Sequence, residues 1–220
     1  MRIARAALLA FAVLSFAAAA QQEWNDEARA KLRITAVKGR NAVLSHPTLA
    51  PFEIEGEIAT AIASASRLNE GAGRYARTRA ALAPLEKLGL GPLDEIPSIK
   101  LHWFLGQIAS AENREEAHYH ARYVGALIRA LRQNNDGDTP ATAFRVVMIE
   151  EEYGYFDVAL NIRPNPSQRI AREIDGRFYD VWTLPARTGA DRKMYFDATA
   201  MQEAGARILK AREAAGAAKP

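Results

Sequence analysis

The side chains best suited to chemistry are carboxylates in the second half of the chain. They form one consecutive run, Glu150–Glu152, followed by Tyr153, and two aspartates beside aromatic residues, Asp180 and Asp197. Two carboxyl groups at a suitable separation can hydrolyse a glycosidic bond. A run of three glutamates is, however, typical of a solvated turn, and an aspartate at a strand end commonly caps the backbone beside it. We therefore expect structural roles and assign no catalytic residue.

The chain contains four histidines, His46, His102, His118 and His120. Imidazole binds metals and titrates near neutral pH, so these residues could hold an ion or transfer a proton. On a helix, positions 118 and 120 lie about 200° apart and cannot face one ion. His120 shares the apolar face of Val124 and Ile128, which is typical of a core histidine with satisfied hydrogen bonds. A zinc site at His102 and His118 is the disfavoured alternative, and no metal or cofactor is predicted.

The segment Asp136-Gly137-Asp138 offers oxygen ligands at alternating positions, as a calcium loop does. An EF-hand loop counted from Asn134 would need glycine at position 139 and glutamate at position 145. The chain has Thr139 and Arg145 there. We therefore predict that Asp136 and Asp138 belong to a turn that caps the preceding helix, and a calcium loop is the alternative.

The absence of several sequence features excludes whole classes of protein. The chain has no cysteine, which removes disulfides, thiol catalysis and thiolate metal sites. Neither a G-x-S-x-G nucleophile motif nor a G-x-x-x-x-G-K-[ST] phosphate loop occurs. The 29 basic residues are nearly balanced by 26 acidic ones, without the concentrated basic stripe of a nucleic-acid binder. No nucleic-acid partner is predicted.

The first twenty residues, Met1–Ala20, match a secretory signal peptide. Arg2 and Arg5 precede a short apolar run, and Ala18-Ala19-Ala20 forms an A-x-A cleavage site, so cleavage is predicted before Gln21. The run is too short to span a membrane, and no cysteine follows it to carry a lipid. Loss of the two arginines lowers the formal net charge from +3 to +1. We expect a soluble periplasmic or secreted protein with no transmembrane segment in the mature chain.

Residues 21–133 are predicted to form a helical domain. Ile54, Ile58 and Ile62 recur every four residues and indicate one helix, while Pro84 should kink or split the next. A helix over Glu115–Leu131 is predicted to start at a capping box formed by Asn113 and Glu116.

Short connections between these helices predict stacked antiparallel hairpins, which commonly present a partner surface. The fragment Trp103–Gly106 is faintly similar to a tetratricopeptide repeat, but no 34-residue period runs through the region.

Turn-forming residues fill Gln133–Pro140, and we place a domain boundary there. Beyond it we predict a strand over Ala143–Ile149, a hairpin closed by Asp175-Gly176, a strand over Met194–Phe196 and a helix to Leu209. The second arm of the hairpin is apolar on both faces and should be central in the sheet. Residues 134–210 are thus an α+β module with a small antiparallel sheet, and residues 211–220 are a fraying tail. The whole chain is predicted to be α+β, with helical hairpins first.

Five segments of the second half also form an ordered pattern: Asp136–Asp138, Thr142–Val146, Glu151–Tyr153, Tyr179–Val181 and Tyr195–Asp197. The pattern resembles a family of exported bacterial proteins of unknown function, whose members carry Gly-Asp-Gly, Glu-Glu-Tyr, Tyr-Asp-Val and Tyr-Phe-Asp motifs in that order. The resemblance covers about residues 136–197. In this chain the first motif reads Asp-Gly-Asp-Thr, so the second glycine of the family motif is missing. It implies an exported compartment and a fold but no reaction. The candidate family-pattern or ligand-contact residues are Asp136, Asp138, Glu151, Glu152, Tyr153, Asp180, Tyr195 and Asp197.

The predicted function is a non-enzymatic protein-interaction or scaffold module of the cell envelope, with an envelope protein as partner. The alternative is a periplasmic hydrolase or small-ligand binder that uses Glu151, Glu152, Tyr153, Asp180 and Asp197. Convergence of these residues on one cleft would favour the alternative, whereas their separation would favour the interaction module. The sequence predicts no oligomeric state.

Overall fold

The computed structural model describes residues 26–68, 70–185 and 190–217, so the predicted signal peptide lies outside the described residues. The helices are α1 (Asp26–Leu44), α2 (Pro51–Ser66), α3 (Arg74–Leu82), α4 (Ile99–Ala111), α5 (Glu116–Arg132), α6 (Glu150–Gly154) and α7 (Thr199–Ala217). The strands are β1 (Phe144–Arg145), β2 (Arg169–Ile174), β3 (Arg177–Leu184) and β4 (Arg192–Asp197). Helices come first and a four-stranded sheet follows, which confirms the α+β prediction.

The helical half follows the apolar periodicity of its sequence. Ile54, Ile58 and Ile62 are buried on one face of α2, as predicted. Pro84 ends α3, and the chain continues as a 3₁₀ helix over Ala83–Leu88. Proline has no backbone N–H to donate to the helix ladder, so the split at this residue has a direct cause.

The predicted capping box at the start of α5 is wrong. Asn113 has a φ of 55° and lies in the left-handed region. An N-cap needs an extended backbone so that its side chain can reach the first amides of the helix. The Glu116 carboxylate is bound by the Arg114 guanidinium instead of turning back to the Asn113 amide.

The sheet has the strand order β1-β4-β3-β2 and is mixed, because β1 runs parallel to β4 while the other pairs are antiparallel. The predicted strand over Ala143–Ile149 is wrong beyond its first residues, since β1 ends at Arg145 and α6 begins at Glu150. The Asp175-Gly176 hairpin is confirmed: both residues have positive φ, 51° and 73°, as a type I′ turn requires. β3 has strand neighbours on both sides, as predicted.

The helices cover one face of the sheet. Trp182, Met194 and Phe196 point to this face and pack with residues of α5, α7 and the π-helical turn Tyr155–Leu160. The opposite face carries a small cluster around Tyr179 and Val181, made of sheet residues and Ala143.

The last helix is longer than predicted. α7 continues to Ala217, whereas the sequence predicted a fraying tail from residue 211. Alanine has the highest helix propensity of all residues, and this tail is rich in it. Within the described ranges, no helix has both the length and the apolar composition needed to cross a membrane.

Candidate functional site

The candidate site is built around α6, whose first three residues are the consecutive glutamates. All three are buried, which corrects the expectation of a solvated turn. Successive residues on a helix point about 100° apart, so neighbouring side chains face different surroundings. α6 lies where the helical half meets the sheet, and each glutamate therefore contacts a different part of the protein.

Glu150 faces the helical half and caps α4. Its two carboxyl oxygens accept hydrogen bonds from the amides of Ile99 at 2.9 Å and Lys100 at 3.0 Å. Burial raises the pKa of Glu150 to about 7 despite these bonds. Glu55 of α2 accepts a bond from the Ile149 amide, at the start of α6, at 2.9 Å. Thus α2 caps α6, and α6 caps α4.

A small cavity of about 30 Å³ lies between these carboxylates, lined by Glu55, Ile58, Ala59, Lys100 and Glu150. Its volume suits one water molecule rather than an organic substrate. The place where two carboxylates approach a lysine is thus too small for a sugar ring.

Glu151 forms a buried ion pair with Arg40 of α1. The Arg40 Nε lies 2.7 Å from Glu151 Oε1, and both side chains are almost fully buried. The same guanidinium donates to the carbonyl of Ala130 at 2.9 Å and to the carbonyl of Arg145. Glu151 also accepts from the Val147 amide at 2.8 Å. One pair of side chains therefore joins α1, α5, β1 and α6.

Glu152 faces the sheet and is the centre of the only convergent set among the candidate residues. Its Oε2 accepts a bond from Trp182 Nε1 at 2.6 Å and lies 3.4 Å from the Arg169 Nε. Arg169 also donates to Asp180 Oδ2 at 2.6 Å. Tyr153 packs edge-on against Trp182, with 5.3 Å between ring centroids. The site brings Glu152, Tyr153 and Asp180 together under one arginine.

Electrostatics in this cluster favour the protonated form of Glu152. Burial, followed by the nearby Asp180 carboxylate, raises the pKa of Glu152 well above its usual value. Two carboxyl groups in contact resist ionising together, as in the paired aspartates of acid proteases. Glu152 Oε1 and Arg169 Nε are buried without a hydrogen-bond partner. Arg169 lies within ion-pair distance of both Glu152 and Asp180. Its positive charge offsets the negative charge that a carboxylate nucleophile or base would need.

The other candidates lie elsewhere. Asp136 accepts bonds from the Asp138 amide at 3.0 Å and from Thr142 Oγ1 at 2.6 Å, and Asp138 pairs with Arg192. These side-chain contacts are made within a turn over positions 136–142 and with β4, and the bond that closes the end of α5 comes instead from the Asn135 amide to the Arg132 carbonyl, at 2.8 Å. The predicted cap by Asp136 and Asp138 is therefore wrong. No group of three or more His, Asp or Glu side chains in the described part of the chain could hold a metal ion.

Asp197 and Tyr195 lie on the opposite face of the sheet from Asp180. The register pairs Asp197 with Tyr179 and Asp180 with Phe196, so alternation separates the two aspartates. Asp197 binds Arg177 and accepts from the Thr199 amide at 3.1 Å, which caps α7. The carboxylates predicted from the sequence are therefore divided among at least three separate places.

A hydrogen-bonded histidine pair lies in the helical core. The Nδ1 atoms of His102 and His120 are 3.0 Å apart. His102 Nε2 donates to the Ile96 carbonyl at 3.0 Å, so its Nδ1 must accept from His120. His120 Nε2 then accepts from the Tyr75 hydroxyl at 2.9 Å, which in turn faces Arg79. This chain of contacts fixes the tautomer of both neutral rings.

The histidine pair has a structural role. Burial lowers the pKa of His102 to about 3, with the neighbouring ring adding to the effect, and lowers that of His120 to about 4. The prediction of a satisfied core histidine at position 120 is confirmed. His118 is exposed on the surface, so it shares no site with the buried His102.

Sequence reasoning missed Arg40, Arg169 and Trp182. Trp182 could have been found, because it shares a strand face with Asp180 two residues away. Arg40 gave no signal, since its carboxylate partner is 111 residues further along the chain. Comparison of the chain with protein-family models, with curated protein sequences and with solved structures finds no match. The function is therefore argued from the sequence patterns and the geometry of this chain.

Proposed function

We propose that this chain is an exported, soluble protein of the bacterial cell envelope that binds a protein partner and catalyses no reaction. The signal-peptide pattern of Met1–Ala20 and the resemblance to an exported family support the compartment. One observation supports the non-enzymatic role above the others: each candidate carboxylate already has a structural partner. Glu151 pairs with Arg40, and Asp197 with Arg177.

Affinity capture from envelope extracts tests this proposal. The purified chain is immobilised and exposed to extract at about 0.1 M and about 1 M salt, which separates charge-dependent from apolar binding. We expect one or a few proteins to be retained in amounts comparable to the immobilised chain. Retention of no protein at either salt concentration would overturn the proposal.

The second candidate function is a hydrolase or small-ligand binder at Glu152 and Asp180. It is favoured by one observation, the contact of two buried carboxyl groups beside Trp182 and Tyr153. Its test is a pair of variants, Asp180→Asn and Arg169→Met, assayed for release of sugars from cell-wall polysaccharide. A hydrolase would lose activity in Asp180→Asn, whereas an interaction module releases no sugar in any form of the protein.

A further inference from the structure

The first helix has an exposed face that no other described part of the chain covers. Leu32, Ala36 and Val43 point inward from α1 and are buried. On the opposite side, Ile34 is 68% exposed and Val37 is 40% exposed. Both are large apolar residues at the centre of a long helix, where a solvated surface normally carries polar side chains.

The exposed residues have the spacing of a helix-packing seam. Ala30, Ile34, Val37 and Asn41 recur at intervals of four, three and four, and all four are exposed. This alternation is the heptad pattern by which one helix packs along another. An open groove of about 410 Å³ runs over the same surface and is lined by Arg33, Ile34, Val37, Lys38 and Asn41. We call the four seam residues the α1 seam.

Cations flank the α1 seam on both sides. At about 100° per residue, Lys31 and Lys38 lie on one side of Ile34 and Arg33 lies on the other. All three side chains are exposed. From residue 28 to residue 44 the chain contains no aspartate or glutamate. The sequence-wide charge balance conceals this local excess of positive charge.

The charge pattern selects among possible occupants. A second copy of α1 would place lysines and arginines opposite one another, which is unfavourable at the flanking positions of a helix pair. A lipid surface would need a broader apolar face than two large residues provide. A helix with an apolar stripe and flanking carboxylates satisfies both the apolar seam and the cations.

We propose that the α1 seam is the docking site for an acidic amphipathic helix of a partner protein. The helix packs its apolar stripe on Ile34 and Val37 and places glutamates or aspartates beside Lys31, Arg33 and Lys38. This inference rests on the proposed function, because it names the surface and the partner chemistry of that interaction.

The test uses a designed probe. It is a helical peptide of about 21 residues, with leucines in heptad positions and glutamates beside them. A matched peptide carries lysines in place of the glutamates. Binding to the purified chain is measured by fluorescence anisotropy at about 0.1 M and about 1 M salt. The variants are Ile34→Asp and the triple change Lys31→Glu, Arg33→Glu and Lys38→Glu.

Matched control variants lie on α7. Leu209→Asp changes an exposed apolar residue, and Lys210→Glu changes an exposed lysine, on another exposed helix surface. Circular dichroism melting of every variant checks that the fold is retained, which we expect because all these side chains are exposed.

We expect the acidic peptide to bind the natural chain, about tenfold or more weakly at high salt. Both α1 variants should lose binding by about tenfold or more, both α7 controls should retain it, and the triple variant should instead bind the lysine peptide. Equal binding to the natural chain and the α1 variants, or no binding of the acidic peptide, would overturn the docking site. A partner captured from extract equally by the natural chain and by Ile34→Asp would also overturn this site, yet leave the proposed function standing.

Discussion

His102 and His120 share a hydrogen bond in the helical core while both rings remain neutral. Each ring nitrogen has one partner, and the chain of contacts ends at the Ile96 carbonyl on one side and Tyr75 on the other. A proton added to His102 would place two Nδ1 donors against each other, and one added to His120 would require the Tyr75 hydroxyl to change from donor to acceptor. Burial also disfavours a positive charge on either ring. Burial and the hydrogen bonds therefore both favour the neutral form of the two histidines.

The histidine pair predicts a loss of stability in acid. An unfolded histidine has its usual pKa near 6.5, whereas in the folded protein the pKa of His120 is about 4. Stability from the neutral ring is therefore complete above about pH 6.5 and is lost as the pH falls towards 4. We expect the free-energy difference between the natural chain and His120→Gln, from urea unfolding, to shrink over this interval. A difference that grew as the pH fell would contradict the assignment of neutral rings.

Glu150 predicts the opposite pH dependence. Its folded pKa of about 7 lies above the usual 4.5, so the folded state binds the proton more tightly than the unfolded state. Its contribution is complete below about pH 4.5 and is lost as the pH rises through 7. The advantage of the natural chain over Glu150→Gln should therefore decrease between pH 4.5 and pH 7. The pH of half-titration can be read directly from the Glu150 carboxyl carbon signal in NMR spectra.

The Arg40–Glu151 pair predicts a strongly non-additive pair of substitutions. Arg40→Met leaves a buried carboxylate without its cation and should cost about 3–5 kcal/mol of unfolding free energy. The double variant Arg40→Met and Glu151→Leu removes both charges and should cost much less than the sum of the single changes. Chemical denaturation measures the free energy of unfolding of the natural chain, of each single variant and of the double variant.

Arg29 provides the control for that pair. Its contact with Asp26, 3.6 Å long, is exposed, so Arg29→Met should change stability by about 1 kcal/mol or less. Additive effects at Arg40 and Glu151 would mean that the two side chains do not interact in solution.

At the scale of elements, α6 is held by close packing as well as by its glutamates. A Cβ on Gly154 would lie 2.6 Å from Cγ2 of Ile99 in α4, so the two helices touch where glycine stands. A methyl group there must displace one helix or the other. The approach of α4 and α6 thus depends on the absence of a side chain at one position.

Two Gly→Ala substitutions should change the stability of the protein in opposite directions. Gly154→Ala should destabilise the protein by about 1–3 kcal/mol through overpacking. Gly56→Ala, in the exposed surface of α2 with no atom within 4 Å of the new Cβ, should stabilise it by about 0.5–1 kcal/mol. Thermal unfolding compares the two. An unchanged or raised Tm in Gly154→Ala would show that α4 and α6 are not in contact at this point.

The sequence predicts individual helices and turns better than it predicts the contacts between them. The four-residue repeat of Ile54, Ile58 and Ile62 and the Asp175-Gly176 turn are local patterns, and both predictions are confirmed. The burial of Glu150–Glu152 was missed because it depends on contacts with distant parts of the chain. The row of cations on α1 was missed for a different reason, since it appears only when the buried face of the helix is known.

At the scale of the whole molecule, the helices and the sheet share their interior. Val147 and Met148, which follow β1, pack in the cluster of α2, α3 and α4. The Arg40–Glu151 pair and the Glu150 cap cross the same junction. Separation of the two halves would expose apolar surface and buried charges together. Neither half can therefore unfold alone without a large cost in free energy.

The protein should therefore unfold in one transition. Trp182 is buried in the sheet, and a Trp24→Phe, Trp103→Phe background makes it the sole tryptophan of the chain. We expect its fluorescence and the helical circular dichroism signal to change at the same urea concentration. Two separated midpoints would instead identify residues 21–133 and 134–210 as independently folding domains.

The Arg40–Glu151 pair also sets an order of events during folding. Arg40 and Glu151 are 111 residues apart in the chain, so α1 and α5 can approach each other before Glu151 has reached its place. At that stage, closing α1 on α5 would trap an uncompensated guanidinium at a cost of several kcal/mol. Final closure of α1 on α5 therefore waits until α6 has docked with its carboxylate, so the first helix of the chain is among the last to reach its final position.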